Sequence, residues 1–108
     1  MQIDKLERMH RGWFVGSFEP TVFKTDAVEL GVKSYRAGET EEWHYHKIAT
    51  EITVIISGKV RMNDQYLESG DIITIEPGSG TDFEVLEDTV TVVVKLPGVL
   101  NDKYVNPE

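Results

Sequence analysis

The sequence of 108 residues contains no cysteine. A disulfide framework, a thiolate nucleophile and a thiolate metal site are therefore excluded, and the composition suits a cytoplasmic location, which we predict. No apolar run approaches the roughly 20 residues that are needed to span a bilayer. The first residues, Met-Gln-Ile-Asp-Lys-Leu-Glu, include acidic groups where a signal peptide would have an apolar segment. These absences predict a soluble protein.

Basic residues are also scarce. The chain has 11 Lys and Arg against 19 Asp and Glu, which gives a formal net charge of −8 and a pI of about 4.8. An acidic surface repels phosphate backbones and anionic lipids, so we expect neither nucleic acid nor a membrane as a partner. A mass of 12.2 kDa predicts one domain over residues 1–108, with a core at about 12–97, a short N-terminal segment and a C-terminal tail.

Long helical patterns are the third absence. Short apolar or alternating segments, separated by Gly, Pro, Asn and Asp, predict roughly nine or ten strands. The clearest cover residues 12–18, 27–36, 41–46, 51–56, 59–62, 65–67, 72–75, 81–86 and 89–96. Turns are predicted at Ser57-Gly58 and, as a tight hairpin, at Asn63-Asp64. Many short strands joined in this way indicate an all-β sandwich or barrel.

The segment 27–36 alternates most regularly. Val28, Leu30 and Val32 share one face, and Glu29 and Lys33 share the other, which is typical of a half-buried strand. By the same alternation, Trp43 and Tyr45 face away from the histidines at 44 and 46, so we expect these aromatic side chains to pack against other protein rather than ligand.

A cluster of metal-binding side chains occupies the middle of the chain. His44 and His46 are separated by one residue, and residues so spaced on a strand point the same way. If the strand that begins at Glu51 lies beside the histidine strand, two imidazoles and a carboxylate surround a common volume. Such donors suit Fe, Mn, Ni, Co or Zn, whereas a soft metal would need sulfur. We therefore predict that His44, His46 and Glu51 bind a divalent metal.

Glycines flank this cluster at regular spacing. The stretch from Gly38 to Gly58 reads G-x5-H-x-H-x4-E-x6-G, and a second segment opens with Gly70-Asp71 and continues through Pro77-Gly78 to Phe83. These residues resemble the two motifs of the cupin superfamily, and the first is matched at every defining position. The resemblance implies a double-stranded β-helix, also called a jelly-roll barrel, in which the two histidines and the glutamate are metal ligands.

The second motif departs from the family pattern at two positions. Glu76 stands where proline is usual, and Thr81 stands where a third histidine would be the fourth ligand. A neutral hydroxyl is a weak donor to a divalent ion. Asp82 is chemically better, but it points to the opposite face of the strand unless a bulge near Gly80 shifts the register. The site could therefore hold a metal with three protein ligands, bind an organic ligand without metal, or be a structural remnant.

The predicted function is that of an enzyme acting on a small polar molecule such as a sugar or a carboxylic acid. A metal with an open coordination position would polarise a carbonyl, activate water or bind dioxygen. Without metal, His44 or His46 could act as a general base oriented by Glu51, as in a sugar isomerase or epimerase. Spacing singles out no acid among Tyr35, Tyr45 and Tyr66.

Two alternatives to an enzyme remain open. One is a non-catalytic module that binds or senses a small ligand, and the other is a structural subunit, for which we expect a filled barrel. The family resemblance and the aromatic-rich N-terminal strand, residues 12–18, also predict a homodimer. Fold does not dictate function, so the site must decide among these interpretations.

Overall fold

A computed structural model describes residues 1–106. Within this range the structure is almost entirely β, as predicted. A single 3-10 turn, Leu6–Arg8, precedes the strands β1 (Trp13–Val15), β2 (Glu29–Tyr35), β3 (Thr40–His44), β4 (Thr50–Met62), β5 (Gln65–Glu68), β6 (Ile72–Ile75) and β7 (Thr81–Leu96). No helix in the described range is long and apolar enough to cross a membrane.

Two long bent strands, β4 and β7, run antiparallel to each other through the whole fold. The first half of β4 pairs with the second half of β7, and this part of the fold continues into β6 on one side and into β2 and β1 on the other. The second half of β4 pairs with β5 and with the first half of β7, which in turn carries β3. All seven strands form one continuous hydrogen-bonded sheet that bends along β4 and β7. Its two halves are called here the larger sheet, with β1, β2 and β6, and the smaller sheet, with β3 and β5, and they enclose the core as a double-stranded β-helix.

The turn predicted at Ser57-Gly58 is wrong. The chain instead continues as one strand, and the register of β4 against β7 shifts between Ile55 and Val60. Gly58 adopts a φ of +95°, which favours glycine. A bulge of this kind bends a strand without ending its pairing, so two predicted strands merge into β4. The two strands predicted over residues 81–96 likewise form one strand, β7.

The hairpin predicted at Asn63-Asp64 is confirmed. These residues have φ values of 47° and 63°, and they connect Met62 to its partner Gln65 across β4 and β5. Positive φ at both central residues is the geometry of the two-residue turns that match the twist of a hairpin.

The interior of the barrel has an apolar part and a polar part. The apolar core consists of Ile55, Val60, Met62, Phe83 and Val85. On β2, the faces are arranged with the polar side inward, since Glu29 and Gly31 are buried while Leu30 and Val32 are only partly covered. The polar face of the predicted half-buried strand therefore lines the interior.

We expect Gly58→Ala to lower the free energy of unfolding by about 3 kcal/mol or more, because a Cβ there would overlap Thr89 Oγ1 and the carbonyl oxygen of Asp88 in addition to straining φ. The matched control is Gly70→Ala, where φ is +93° but nothing lies within 4 Å of the new Cβ. This control should cost only the strain, about 1–2 kcal/mol. Urea unfolding measures both, and equal losses would contradict the proposed close packing.

Candidate metal site

The structure brings the three predicted ligands together. His44 ends β3, His46 lies two residues further on, and Glu51 is the second residue of β4; their ligand atoms all lie within 4.8 Å of one another. The histidine strand and the Glu51 strand do not lie side by side, because β3 pairs with β7 alone. The ligands instead approach from the two sheets across the interior of the barrel. Their side chains meet in one volume although the strands that carry them do not pair with each other.

Backbone carbonyls orient both imidazoles. His46 Nδ1 donates a hydrogen bond to the carbonyl oxygen of Asp102 at 2.7 Å, and His44 Nδ1 donates to that of Glu42 at 3.1 Å. A carbonyl only accepts, so Nδ1 carries the proton in each ring and Nε2 is left as the free nitrogen. This is the usual arrangement of a metal-binding histidine, whose second nitrogen is held by an outer partner.

His46 Nε2 has no hydrogen-bond partner among residues 1–106, although it is buried. Its nearest charged neighbour is Glu51 Oε2 at 3.2 Å. When Nδ1 holds the single proton of a neutral ring, Nε2 and the carboxylate are both acceptors and face each other without a donor. A proton or a metal ion between them satisfies both. The donor set thus fits a divalent metal.

Glu51 is available as an ionised ligand. Burial by itself would raise its pKa, but the adjacent His46 ring and the charges of Lys95 and His44 lower it, so the net pKa lies below the ordinary value. The Thr53 hydroxyl donates to Oε1 at 3.4 Å, which leaves Oε2 facing His46.

No fourth protein ligand joins the group within residues 1–106. Thr81 lies opposite His44 in the β3–β7 ladder, and its hydroxyl donates to the carbonyl oxygen of Asp82 at 2.8 Å. The Asp82 carboxylate accepts from the backbone N–H of Asn63 at 2.8 Å and lies 3.8 Å from Arg61, away from the cluster. The alternative that Asp82 replaces the missing histidine is therefore wrong.

The cluster opens into a cavity of about 220 Å³. An open cavity does not match the filled barrel expected of a structural subunit. Although the chain is acidic overall, the lining carries more positive than negative groups, so its local charge has the opposite sign. The lining cations are Arg11, Lys33, Lys95 and Lys103, and the lining carboxylates are Glu41 and Glu51.

Among the three candidate tyrosines, Tyr35 alone lines this cavity. Its hydroxyl donates to Glu41 Oε1 at 3.4 Å, and its pKa is strongly raised, first by burial and then by Glu41, so it stays protonated. The Tyr45 hydroxyl donates to the carbonyl oxygen of Asn106, and Tyr66 is 75% exposed. Tyr45 and Trp43 pack together outside the site with ring centroids 5.6 Å apart, as their alternation predicted.

A bulge in β3 adds Glu41 to the cavity. The register against β7 shifts between Glu41, which lies opposite Phe83, and His44, which lies opposite Thr81. Three residues of β3 thus span two residues of β7, and both Glu41 and His44 face the interior. Strict alternation would have placed them on opposite faces, so the sequence pattern did not reveal Glu41.

Asp102, in the C-terminal tail, was also missed. Its carboxylate accepts hydrogen bonds from the backbone N–H groups of Lys47, Ile48 and Ala49 at 3.0, 3.1 and 2.9 Å, and its carbonyl orients His46. One residue therefore fixes both the ring of His46 and the loop that leads to Glu51. No local pattern could have found it, because its partners lie more than 50 residues earlier in the chain.

We expect Asp102→Asn to lower the free energy of unfolding at pH 7 by about 1–3 kcal/mol, because an amide nitrogen would place a donor against a backbone donor. Burial alone would raise the pKa of Asp102, but the three N–H groups and His46 lower it below the ordinary 3.8. The stabilisation is thus present above pH about 4 and is lost as the pH falls through the folded pKa. Urea unfolding at several pH values measures it.

The control is Asp88→Asn, since Asp88 accepts a single N–H from Ala37 that an asparagine oxygen can still accept. It should change stability by less than about 0.5–1 kcal/mol. A difference between wild type and Asp102→Asn that grows as the pH falls would contradict the assignment.

Comparison with known proteins identifies structural relatives only. No family model matches the sequence, and no curated protein matches it. An uncharacterised conserved protein with a double-stranded β-helix domain from Klebsiella pneumoniae is similar in structure, with a TM-score of 0.67, 23% identity, and coverage of 78% of this chain and 74% of that chain.

Two further similar structures are named for an enzymatic activity. DMSP lyase DddQ from Ruegeria pomeroyi has a TM-score of 0.64 and 22% identity over 82% of this chain and 46% of that chain. Oxalate decarboxylase from Bacillus subtilis, described with Mn(II) centres, has a TM-score of 0.61 and 19% identity over 74% of this chain and 24% of that chain. Identities this low show the fold alone. Motifs, sheet topology and structural relatives agree, and the chain has the cupin fold.

Proposed function

We propose that His44, His46 and Glu51 hold a divalent metal and that the protein acts on a small polar metabolite at this metal. The observation that carries the proposal is His46 Nε2, a buried acceptor 3.2 Å from the carboxylate of Glu51. The Mn(II) centres described for the similar oxalate decarboxylase also support a metal in this fold. Iron, manganese, nickel and zinc are the candidates.

The residues around the cluster have separate roles in this proposal. His44, His46 and Glu51 would hold the metal, which would supply Lewis acidity to a substrate oxygen. The cavity beside the cluster receives the substrate, and Tyr35, whose hydroxyl donates to Glu41, forms part of its wall. Glu51 is the ionised ligand, and Asp102 keeps His46 in the tautomer that leaves Nε2 free.

Elemental analysis of protein purified without a histidine tag or chelator tests the metal. We expect a near-stoichiometric divalent metal in the wild type and its loss in His46→Ala and Glu51→Ala, since each change removes one of three protein donors. His10→Ala is the control, because His10 is exposed and lies outside the cluster. A wild type that stays metal-free after incubation with each candidate metal would contradict the proposal.

A metal-free acid–base enzyme is the second candidate, and the close His46–Glu51 pair favours it. With Nδ1 bound to Asp102, a hydrogen bond from Nε2 to Glu51 requires the imidazolium form. Such a pair could transfer a proton to a sugar or keto acid. Turnover that survives complete removal of metal would favour this candidate. Ligand binding without turnover under either condition would favour a sensing module, and the cytoplasmic location stays a prediction.

We further propose a homodimer that forms through the outer face of the larger sheet. Strand pairing places apolar residues in adjacent rows on the face opposite to the cavity. A broad apolar sheet face at the surface is typical of protein interfaces. The rows consist of Leu30, Val94 and Ile52, and of Val32, Val92 and Val54.

We expect Val92→Glu, in the middle of this face, to convert the dimer to a monomer, because the new charge would be buried in the interface. Tyr66→Glu is the control, since Tyr66 is exposed on β5 outside the face. Size-exclusion chromatography with light scattering measures the mass. A wild type that is monomeric at micromolar concentration would contradict the proposal.

A further inference from the structure

Two lysines approach the ring of Trp13 in the cavity wall. Lys33 Nζ lies 5.4 Å and Lys95 Nζ 5.2 Å from the ring centroid, and all three residues line the cavity next to the predicted metal ligands. Two ammonium groups near one ring repel each other. An anion in contact with both would relieve this repulsion.

Within residues 1–106, Lys33 Nζ makes one hydrogen bond and keeps further N–H donors for a ligand. Its Nζ donates to the carbonyl oxygen of Arg11 at 2.7 Å, and an ammonium group has three donors. Burial lowers the pKa of Lys33, while the charge of Glu41 opposes that effect. A half-buried ammonium with unused donors is well placed to bind an acceptor from a ligand.

Thr91 supplies an unpartnered hydroxyl to the same cavity. It pairs with Lys33 across the β2–β7 ladder and lies four residues before Lys95, so alternation places both β7 side chains on one face. Thr91 is 1% exposed, and its Oγ1 finds no hydrogen-bond partner within residues 1–106. Buried hydroxyls normally have a partner, so this one points to an acceptor supplied by a ligand.

The charges near this wall leave a positive surplus. Four cations line the cavity against the two carboxylates of Glu41 and Glu51. Glu29 lies opposite Lys95 in the ladder but does not line the cavity. Counting all three carboxylates still leaves one net positive charge before any metal is added. A neutral ligand would leave this surplus uncompensated.

We propose that Lys33, Lys95 and Thr91 form a subsite for the carboxylate of a small acid. The role of this subsite in binding substrate rests on the proposed metal-dependent function, although none of its three residues is a metal ligand. The substrate then carries a carboxylate for this subsite and a second oxygen for the metal, as in a hydroxy, keto or dicarboxylic acid. The cavity of about 220 Å³ suits a molecule of this size.

The type of donor favours a carboxylate over a phosphate. Phosphate sites commonly use helix N-termini or successive backbone N–H groups. The lining residues on β2, β4 and β7 lie in paired strands, whose ladders use the backbone N–H groups. Two ammonium groups and one hydroxyl match the two oxygens of a carboxylate more closely than the larger set of acceptors on a phosphate.

NMR titration of ¹⁵N-labelled protein with malonate tests the subsite, with inorganic phosphate and glucose as competing probes at constant ionic strength. We expect malonate to shift the Trp13 indole N–H and the amides of Thr91 and Lys95, and to bind more tightly than either other probe. The titration is run on chelator-treated and on zinc-loaded protein. Zinc is diamagnetic, so the same signals are followed in both.

Lys33→Met and Lys95→Met should each raise the malonate Kd about tenfold or more, since each removes a charged donor but keeps an apolar stem over Trp13. Thr91→Val should raise it several-fold while leaving stability unchanged or higher, because it removes an unsatisfied buried hydroxyl. Weaker malonate binding together with unchanged or higher stability would show that the Thr91 hydroxyl acts in ligand binding and not in holding the fold.

Matched controls lie outside the cavity, on β4 and β7. Lys59→Met removes an exposed lysine paired with Glu87, and Thr89→Val removes a hydroxyl that already donates to the carbonyl oxygen of Glu87. Neither should change the malonate Kd by more than about twofold. The spectrum of each variant verifies that it is folded before titration.

The outcomes separate this inference from the metal proposal. Malonate binding to metal-free protein that weakens in the three variants supports the subsite, even if elemental analysis finds no metal. Binding only to zinc-loaded protein, with all variants equal to wild type, would assign binding to the metal and overturn the subsite. Tighter binding of phosphate, or equal binding of glucose, would also overturn it.

Discussion

The antiparallel pairing of β4 with β7 is the constraint on which the rest of the structure depends. Both strands pass through both sheets, and β2, β3, β5 and β6 each pair with one of them. The bulge at Gly58 lets the pair bend without losing its ladder. As a result, Glu51 near the start of β4 lies opposite Lys95 near the end of β7. The polar end of the barrel interior lies around Glu51 and Lys95.

Polar groups in this interior are stabilised by the backbone and by one another. Carbonyl oxygens orient the two histidines, and Asp102 satisfies three N–H groups of the loop between His46 and Glu51. The exceptions are His46 Nε2 and the Thr91 hydroxyl, which are buried without a hydrogen-bond partner in the described chain. Both exceptions face the cavity, as expected if a ligand completes them.

The charge of the cavity lining differs in sign from the charge of the whole protein. Its lining is positive within an acidic protein, so an anionic ligand is repelled by the surface yet attracted once inside. In the proposed arrangement, Glu51 is a metal ligand, whereas Lys33 and Lys95 have no metal-binding role. This separation of charges along one wall would let a single small cavity hold the proposed cation and the proposed anion side by side.

Local patterns in the sequence predicted much of this arrangement. Alternation placed His44 and His46 on one side and Trp43 and Tyr45 on the other, and the Asn63-Asp64 turn followed from residue types that tolerate positive φ. Such features depend on neighbours within a few residues. The motif spacing also predicted the cupin fold, which the structural relatives bear out.

The errors and omissions all involve contacts between distant segments. The turn expected at Ser57-Gly58 is a bulge because β7 continues to pair across it, and β3 lies against β7 rather than beside β4. Glu41 faces the cavity through a register shift that is defined only by its partner strand.

The sequence by itself determined the all-β class, the cluster of His44, His46 and Glu51, and the absence of any cysteine ligand, since these follow from residue type and local spacing. Tertiary structure alone decided that Asp102 holds the histidine loop, and that Lys33, Lys95 and Thr91 share its cavity. The reason is physical. Alternation assigns a residue to a face, but only strand pairing decides which face turns inward and which distant side chains meet there.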